Sequence, residues 1–120
     1  MKIAHIFITV ILISPMLLAE EIKIEKLSQD QIYENWLVSR CIGKSTDSEK
    51  TKQDAFRSAA AYLEFSKLPI DAFEQGEKLA EQYAKKDTQG SVKGSYHTLE
   101  CLSLQNANEA KAIFERYSKK

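Results

Sequence analysis

Tyr33-Glu34-Asn35-Trp36-Leu37-Val38-Ser39-Arg40-Cys41-Ile42 holds the only tryptophan of the chain and one of its two cysteines. Tyr33, Leu37 and Cys41 recur at every fourth position, and Ile32 and Trp36 widen the same face, which is the period of an amphipathic α-helix. Ser28 stands upstream with a side chain able to accept from a first-turn amide, and Gln31 is placed three residues on to reach back. A helix therefore begins after Ser28 and runs to about Ile42, with Gly43 placed to end it. The second cysteine, Cys101, lies in Leu99-Glu100-Cys101-Leu102, near the other end of the chain.

Outward from that helix the pattern stays helical. Residues 20–27, with Ile22 and Ile24 between charged neighbours, read as an extended arm, since no partner strand is visible. After the polar break Ser45-Thr46-Asp47-Ser48, a second helix is expected from Glu49 to Lys67. Its stripe of Phe56, Ala59, Ala60 and Leu63 is thin enough for a neighbour to come close, which makes it the expected central packing surface. Pro69 can open a third helix, because its missing amide hydrogen costs nothing in a first turn. That helix should span Ile70 to Lys85 with Phe73, Gly76, Ala80 and Tyr83 on one side; Gly76 lowers helix stability by ~1 kcal/mol relative to alanine, so a close helix crossing is expected there. Lys86-Asp87-Thr88-Gln89-Gly90-Ser91-Val92-Lys93-Gly94 is the one conspicuous loop. A fourth helix should start near Ser95 and carry Tyr96, Leu99 and Leu102 inward. Asn106-Ala107-Asn108-Glu109 has the arrangement of a capped start for a fifth, with Ala110, Ile113, Phe114 and Tyr117 inside. The expected fold is all-α: a single compact domain of about four to five helices.

The first residues do not belong to that domain. Met1-Lys2, the uncharged run Ile3 to Ile13 and the small residue Ala19 before Glu20-Glu21 have the layout of a cleaved secretory signal. Residues 1–19 are thus expected to be a signal peptide and residues 20–120 the domain. The stretch is short against the ~20 apolar residues that span a bilayer, which weighs against an anchor, and no cysteine follows Ala19 to take a lipid. The whole chain carries 17 basic and 17 acidic side chains. That balance gives no case for nucleic acid or for anionic membrane as a partner. In an oxidising compartment a pair of cysteines reads first as a disulfide, and a bond between Cys41 and Cys101 would close a ring of about 60 residues and stabilise by roughly 4 kcal/mol. Two free buried thiols are the alternative.

Signatures of catalysis are scarce. His97 lies four residues before Cys101, so the two share a helical face and a Cys/His nucleophilic pair comes into consideration. Cys101 is better explained as half of a disulfide, and His97, Cys101 and Cys41 without a close-spaced cysteine pair make a weak zinc set. Glu74, Glu77 and Glu81 alternate with Lys78 and Lys85 as a solvated face. Gly90 and Gly94 lack the lysine and the preceding strand of a phosphate loop. No catalytic residue, metal or cofactor is expected, and an exported domain of this kind is expected to act by binding.

Three segments together carry a family resemblance: residues 33–42; the alanine-rich Ser58-Ala59-Ala60-Ala61-Tyr62-Leu63-Glu64-Phe65; and Leu99-Glu100-Cys101-Leu102. In their order, spacing and leading signal they resemble the type VI secretion amidase immunity proteins, antidotes of interbacterial competition. The resemblance covers residues 32–117. It implies an all-helical protein of the periplasm, often a homodimer, whose partner is a cognate peptidoglycan amidase effector. It also implies that a protruding loop enters the effector's catalytic groove. The loop best placed for this is Lys86, Asp87, Thr88, Gln89, Gly90, Ser91, Val92 and Lys93; it is shorter and more polar than the loops of the family. The alternative reading is a periplasmic helical ligand-binding or stress protein with no toxin partner.

Overall fold

The computed structural model describes residues 23–119, together with 10–12 and 20. The expected signal peptide therefore lies almost wholly outside the described residues. Among them the chain forms five α-helices: α1 (Gln29–Ser45), α2 (Glu49–Phe65), α3 (Ile70–Ala84), α4 (His97–Ser103) and α5 (Asn108–Ser118). Short 3-10 turns at Ile24–Lys26 and Leu104–Asn106 precede α1 and follow α4. The expected arm is thus partly a turn, and Ile24 is tucked into the interior from it. No described helix is long and apolar enough to cross a membrane.

The start of α1 is fixed by the residues that predicted it. The Gln31 amide donates to Ser28 Oγ at 3.4 Å, and the Ser28 amide donates to Gln31 Oε1 at 3.0 Å. Two first-turn donors are satisfied reciprocally in this way. Gly43 does not end the helix. It sits inside α1 against the ring of Phe56, which occupies the space a Cβ would need. The glycine is there so that α2 can approach. Pro69 opens α3 as expected, from the N-cap position just before the first turn, whereas α5 starts from Ala107 with no side-chain cap, so Asn106 does not play the capping part expected of it.

α1, not α2, is the centre. It packs against each of the other four helices, while α2 rests on α1 and on the first 3-10 turn. Tyr33 and Leu37 have no exposed surface. Tyr33 stacks on Trp36, both rings meet the edge of Phe73 on α3, and Phe114 of α5 closes the cluster. Each such side chain contributes about 1.5–3 kcal/mol when fully removed from water. The buried Tyr33 hydroxyl donates to the Ala72 carbonyl at 2.7 Å, and burial pushes its pKa well above the usual phenol range. Gly76 lies beneath these rings, where a Cβ would stand 2.6 Å from the Tyr33 oxygen and 2.7 Å from Trp36 Cζ3. The close crossing expected at Gly76 is therefore the contact of α3 with α1.

Arg40 ties three helices. Its guanidinium donates twice to Glu77 of α3, at 2.8 and 2.7 Å, and lies over the Phe56 ring of α2 at 4.2 Å. Lys44 adds a second cation at 2.5 Å from Glu77. The hydrogen bond from Arg40 is the main cause that holds the Glu77 carboxyl below its ordinary range.

The last tie is covalent. Cys41 of α1 is bonded to Cys101 of α4, with Cα atoms 5.5 Å apart and no exposed surface on either residue. This bond sets how α4 is turned. Cys101 and Glu100 face inward, and Leu99 and Leu102, expected inside, are exposed at 54% and 47%. A seven-residue helix is too short for its apolar pattern to outweigh a disulfide.

Candidate functional site

The connections between α1 and α2 and between α2 and α3 are residues 46–48 and 66–69. Between α3 and α4 the chain leaves helix from residue 85 to residue 96. The proposed contact residues Lys86 to Lys93 all fall in this excursion. They do not play one part, because the loop is built inward at two places and outward at one.

Its root is held by Glu100. This carboxylate is buried on α4 beside the disulfide. Thr88 Oγ1 donates to Glu100 Oε1, and Lys86 Nζ lies 3.7 Å from Glu100 Oε2. Lys86 also stands 3.6 Å from the centre of the Tyr83 ring, where the π-face attracts a cation. Lys86 and Thr88 are thus engaged with the body of the protein.

Its apex is held by Tyr96. The Tyr96 hydroxyl donates to the Val92 carbonyl at 2.6 Å and accepts from the Val92 amide at 3.2 Å. Gly90 lies against the Tyr96 ring in the space a Cβ would take. Asp87 and Gln89 bond to each other at 2.9 Å. Gly94 leaves the loop with φ +146°, the only positive φ among the described residues, and nothing stands within 4 Å of its missing Cβ. The glycine is required there by backbone conformation and not by space.

What remains outward is Asp87, Gln89, Ser91, Val92 and Lys93. Val92 is 73% exposed, an apolar side chain held out into solvent by hydrogen bonds to its own backbone. Reasoning from sequence missed Tyr96 and Glu100 as parts of this unit. The sequence pattern places Tyr96 in the core, and its only signal as a support is its position two residues after Gly94.

The other considered constellation dissolves. Cys101 is in a disulfide, so His97 has no thiol beside it. No group of three or more metal-ligating side chains forms among the described residues. His97 Nδ1 is buried without a hydrogen-bond partner.

A second surface feature shares no residue with the loop. An open groove of about 640 Å³ runs between α2 and α3 over α1, lined by Trp36, Phe56, Leu63, Ile70 and Phe73, with Glu74 and Lys78 among its polar residues. Ile70 and Leu63 are 72% and 45% exposed there.

Solved structures share this architecture. A chain from the complex of the effector Tae4 of Salmonella typhimurium with the immunity protein Tai4 of Enterobacter cloacae is 38% identical. It aligns over 79% of this chain and 98% of its own length, with a TM-score of 0.72. A chain from the Enterobacter cloacae Tae4–Tai4 effector–immunity complex has the same identity and TM-score over 79% and 97%. A chain from the Salmonella typhimurium Tae4/Tai4 system is 25% identical over 84% and 100%, with a TM-score of 0.77. No curated protein sequence matches the chain. Residues 31–114 match the sequence model described as Tai4, type VI secretion system amidase immunity protein. That span runs from the first turn of α1 into α5 and includes both cysteines and the whole loop, so the chain belongs to the type VI secretion system amidase immunity protein family.

Proposed function

We infer that this immunity protein neutralises an amidase effector by placing the loop of residues 86–94 in the effector's substrate groove, with no chemistry of its own. The observation that carries the reading is the loop's construction. Its root is tied to α4 and its apex to Tyr96, the residue just before α4; α4 is tied to α1 by the disulfide, and Gln89, Ser91, Val92 and Lys93 are left outward on a rigid support. Binding residues carried on loops over a rigid scaffold are a general arrangement. The related immunity proteins are found in complexes with Tae4, and an effector of that kind is the partner. A buried disulfide fits an oxidising compartment, and with the expected signal peptide it supports action in the periplasm.

The homodimer implied by the resemblance is assigned to the α2–α3 groove. A two-fold contact joins a patch to its own copy, and this one has an apolar floor with both charge signs, Glu74 and Lys78, in its lining.

Exporting the protein and its cognate amidase together to the periplasm tests the reading. Cells should survive, and the pair should elute as one complex on gel filtration. Lysis undiminished by its presence, with no complex formed, would remove it. Changing Gln89, Ser91, Val92 and Lys93 together to alanine should weaken inhibition by about tenfold or more, in line with the loss of contact residues, while leaving the helical circular dichroism unchanged.

A further inference from the structure

We propose that Tyr96 and Glu100 are positioning residues that hold the loop in its binding conformation before the partner arrives, and that Val92 is the apolar knob they present to a recess in the partner. The proposal rests on the reading of residues 86–94 as the inhibitory loop and goes beyond it by separating support from contact.

The hydrogen bonds divide the loop in this way. A polar excursion running from residue 85 to 96 would otherwise sample many conformers, and ordering it on binding would cost affinity. Here each half of the loop has its own anchor on or next to α4. Glu100 takes Thr88 and Lys86 at the root. The Tyr96 hydroxyl satisfies both backbone groups of Val92, donating to the carbonyl and accepting from the amide. This pins the main chain of Val92 while leaving its side chain 73% exposed. An exposed branched apolar side chain on a pinned backbone, between Ser91 and Lys93, fits a partner surface that offers a small apolar recess with an acidic or polar rim. A protein cleft has that chemistry. Glu100 is itself fixed by its neighbour Cys101, so the geometry of the loop is referred to α1 through one covalent bond.

Tyr96→Phe is the informative variant, since it removes the hydroxyl and keeps the ring against Gly90. Three measurements on the full mature protein and its cognate amidase decide the matter: amide hydrogen exchange at Val92, association and dissociation rates, and melting temperature. Tyr96→Phe should speed exchange at Val92 and weaken binding about tenfold, as expected for losing a hydrogen-bonded anchor. Because only the competent fraction binds, the loss should appear in the association rate and track the lost protection, with the melting temperature nearly unchanged. Thr88→Val should act in the same direction from the other anchor. Val92→Asp should lose binding with Val92-region exchange unaltered. If Val92→Asp binds like the parent, the loop is not the contact and both readings fall. If Val92→Asp loses binding but Tyr96→Phe and Thr88→Val bind at parental rates, the loop reading stands and the positioning proposal is overturned. Unchanged exchange at Val92 in Tyr96→Phe overturns it as well.

Discussion

Two residues show how a single side chain can be required by what it lacks or by what it pairs with. Gly76 has no room for a Cβ, because the Tyr33 oxygen and Trp36 ring stand below 3 Å from where it would lie, and Tyr33 is locked in place by its bond to the Ala72 carbonyl. Alanine would gain about 1 kcal/mol in helix propensity, but overpacking a tight core costs about 1–3 kcal/mol. Gly76→Ala should therefore be net destabilising by about 1 kcal/mol, read from the urea midpoint at unchanged slope. Glu77 is the opposite case, a carboxylate whose folded pKa lies below its ordinary value of 4.5, first through the hydrogen bond from Arg40. A depressed carboxyl contributes stability above the unfolded value, and that contribution is lost as pH falls through the folded value. Melting temperature should thus drop on acidification below about pH 4.5, and Glu77→Gln should flatten that part of the curve. Glu34, whose carboxyl is pushed up chiefly by burial, acts in the opposite sense at higher pH, so the two slopes separate in a titration.

At the scale of elements, α1 and α4 differ in what makes them helices. α1 has seventeen residues, a reciprocal cap and an apolar face. Ser28→Ala should cost about 1 kcal/mol, the usual worth of an N-cap, measurable by thermal denaturation. α4 has seven residues and no side-chain cap, shorter than isolated helices can sustain in water. It depends on the Cys41–Cys101 bond and on Leu104, which is fully buried just after it. Replacing both cysteines with alanine should cost about 2–5 kcal/mol and should loosen α4 first. Hydrogen exchange should then show lost protection at residues 97–103 before α1 or α3 is affected. Uniform loss of protection across all helices would contradict this order.

At the scale of the whole molecule, the two surfaces predict separate behaviour. The α2–α3 groove leaves Leu63 and Ile70 exposed over an apolar floor. Leu63→Glu with Ile70→Glu should convert a dimer to a monomer in sedimentation velocity while leaving the loop and one-to-one binding of the amidase intact. A parent protein that sediments as a monomer at all concentrations would remove the groove as a dimer contact. Placement of the helices was largely legible in the sequence, from Ser28, Pro69 and the three-and-four spacing of apolar residues. Their arrangement was less so. The alanine-bearing α2 looked central, but it rests on α1 and the first 3-10 turn, and Ala60 stays exposed. The loop was visible as a glycine-bearing break in helical patterning. Its internal anchors were not, because Tyr96 and Glu100 become loop supports only when α4 is oriented.

The sequence by itself determined an all-α chain, the first turn of α1, the need for a close crossing at Gly76, the one cysteine with which Cys41 could pair and the place of the loop. These follow from local periodicity, from capping chemistry and from there being only one other cysteine. The tertiary structure decided that α1 is the hub, that Gly43 continues a helix instead of ending it, and that Leu99 and Leu102 face out while Glu100 faces in. It also decided which loop residues support and which are free to touch a partner. The physical reason is that a disulfide and a buried carboxylate fix the rotation of a short helix, and rotation about an axis is not encoded by the local pattern of so few residues.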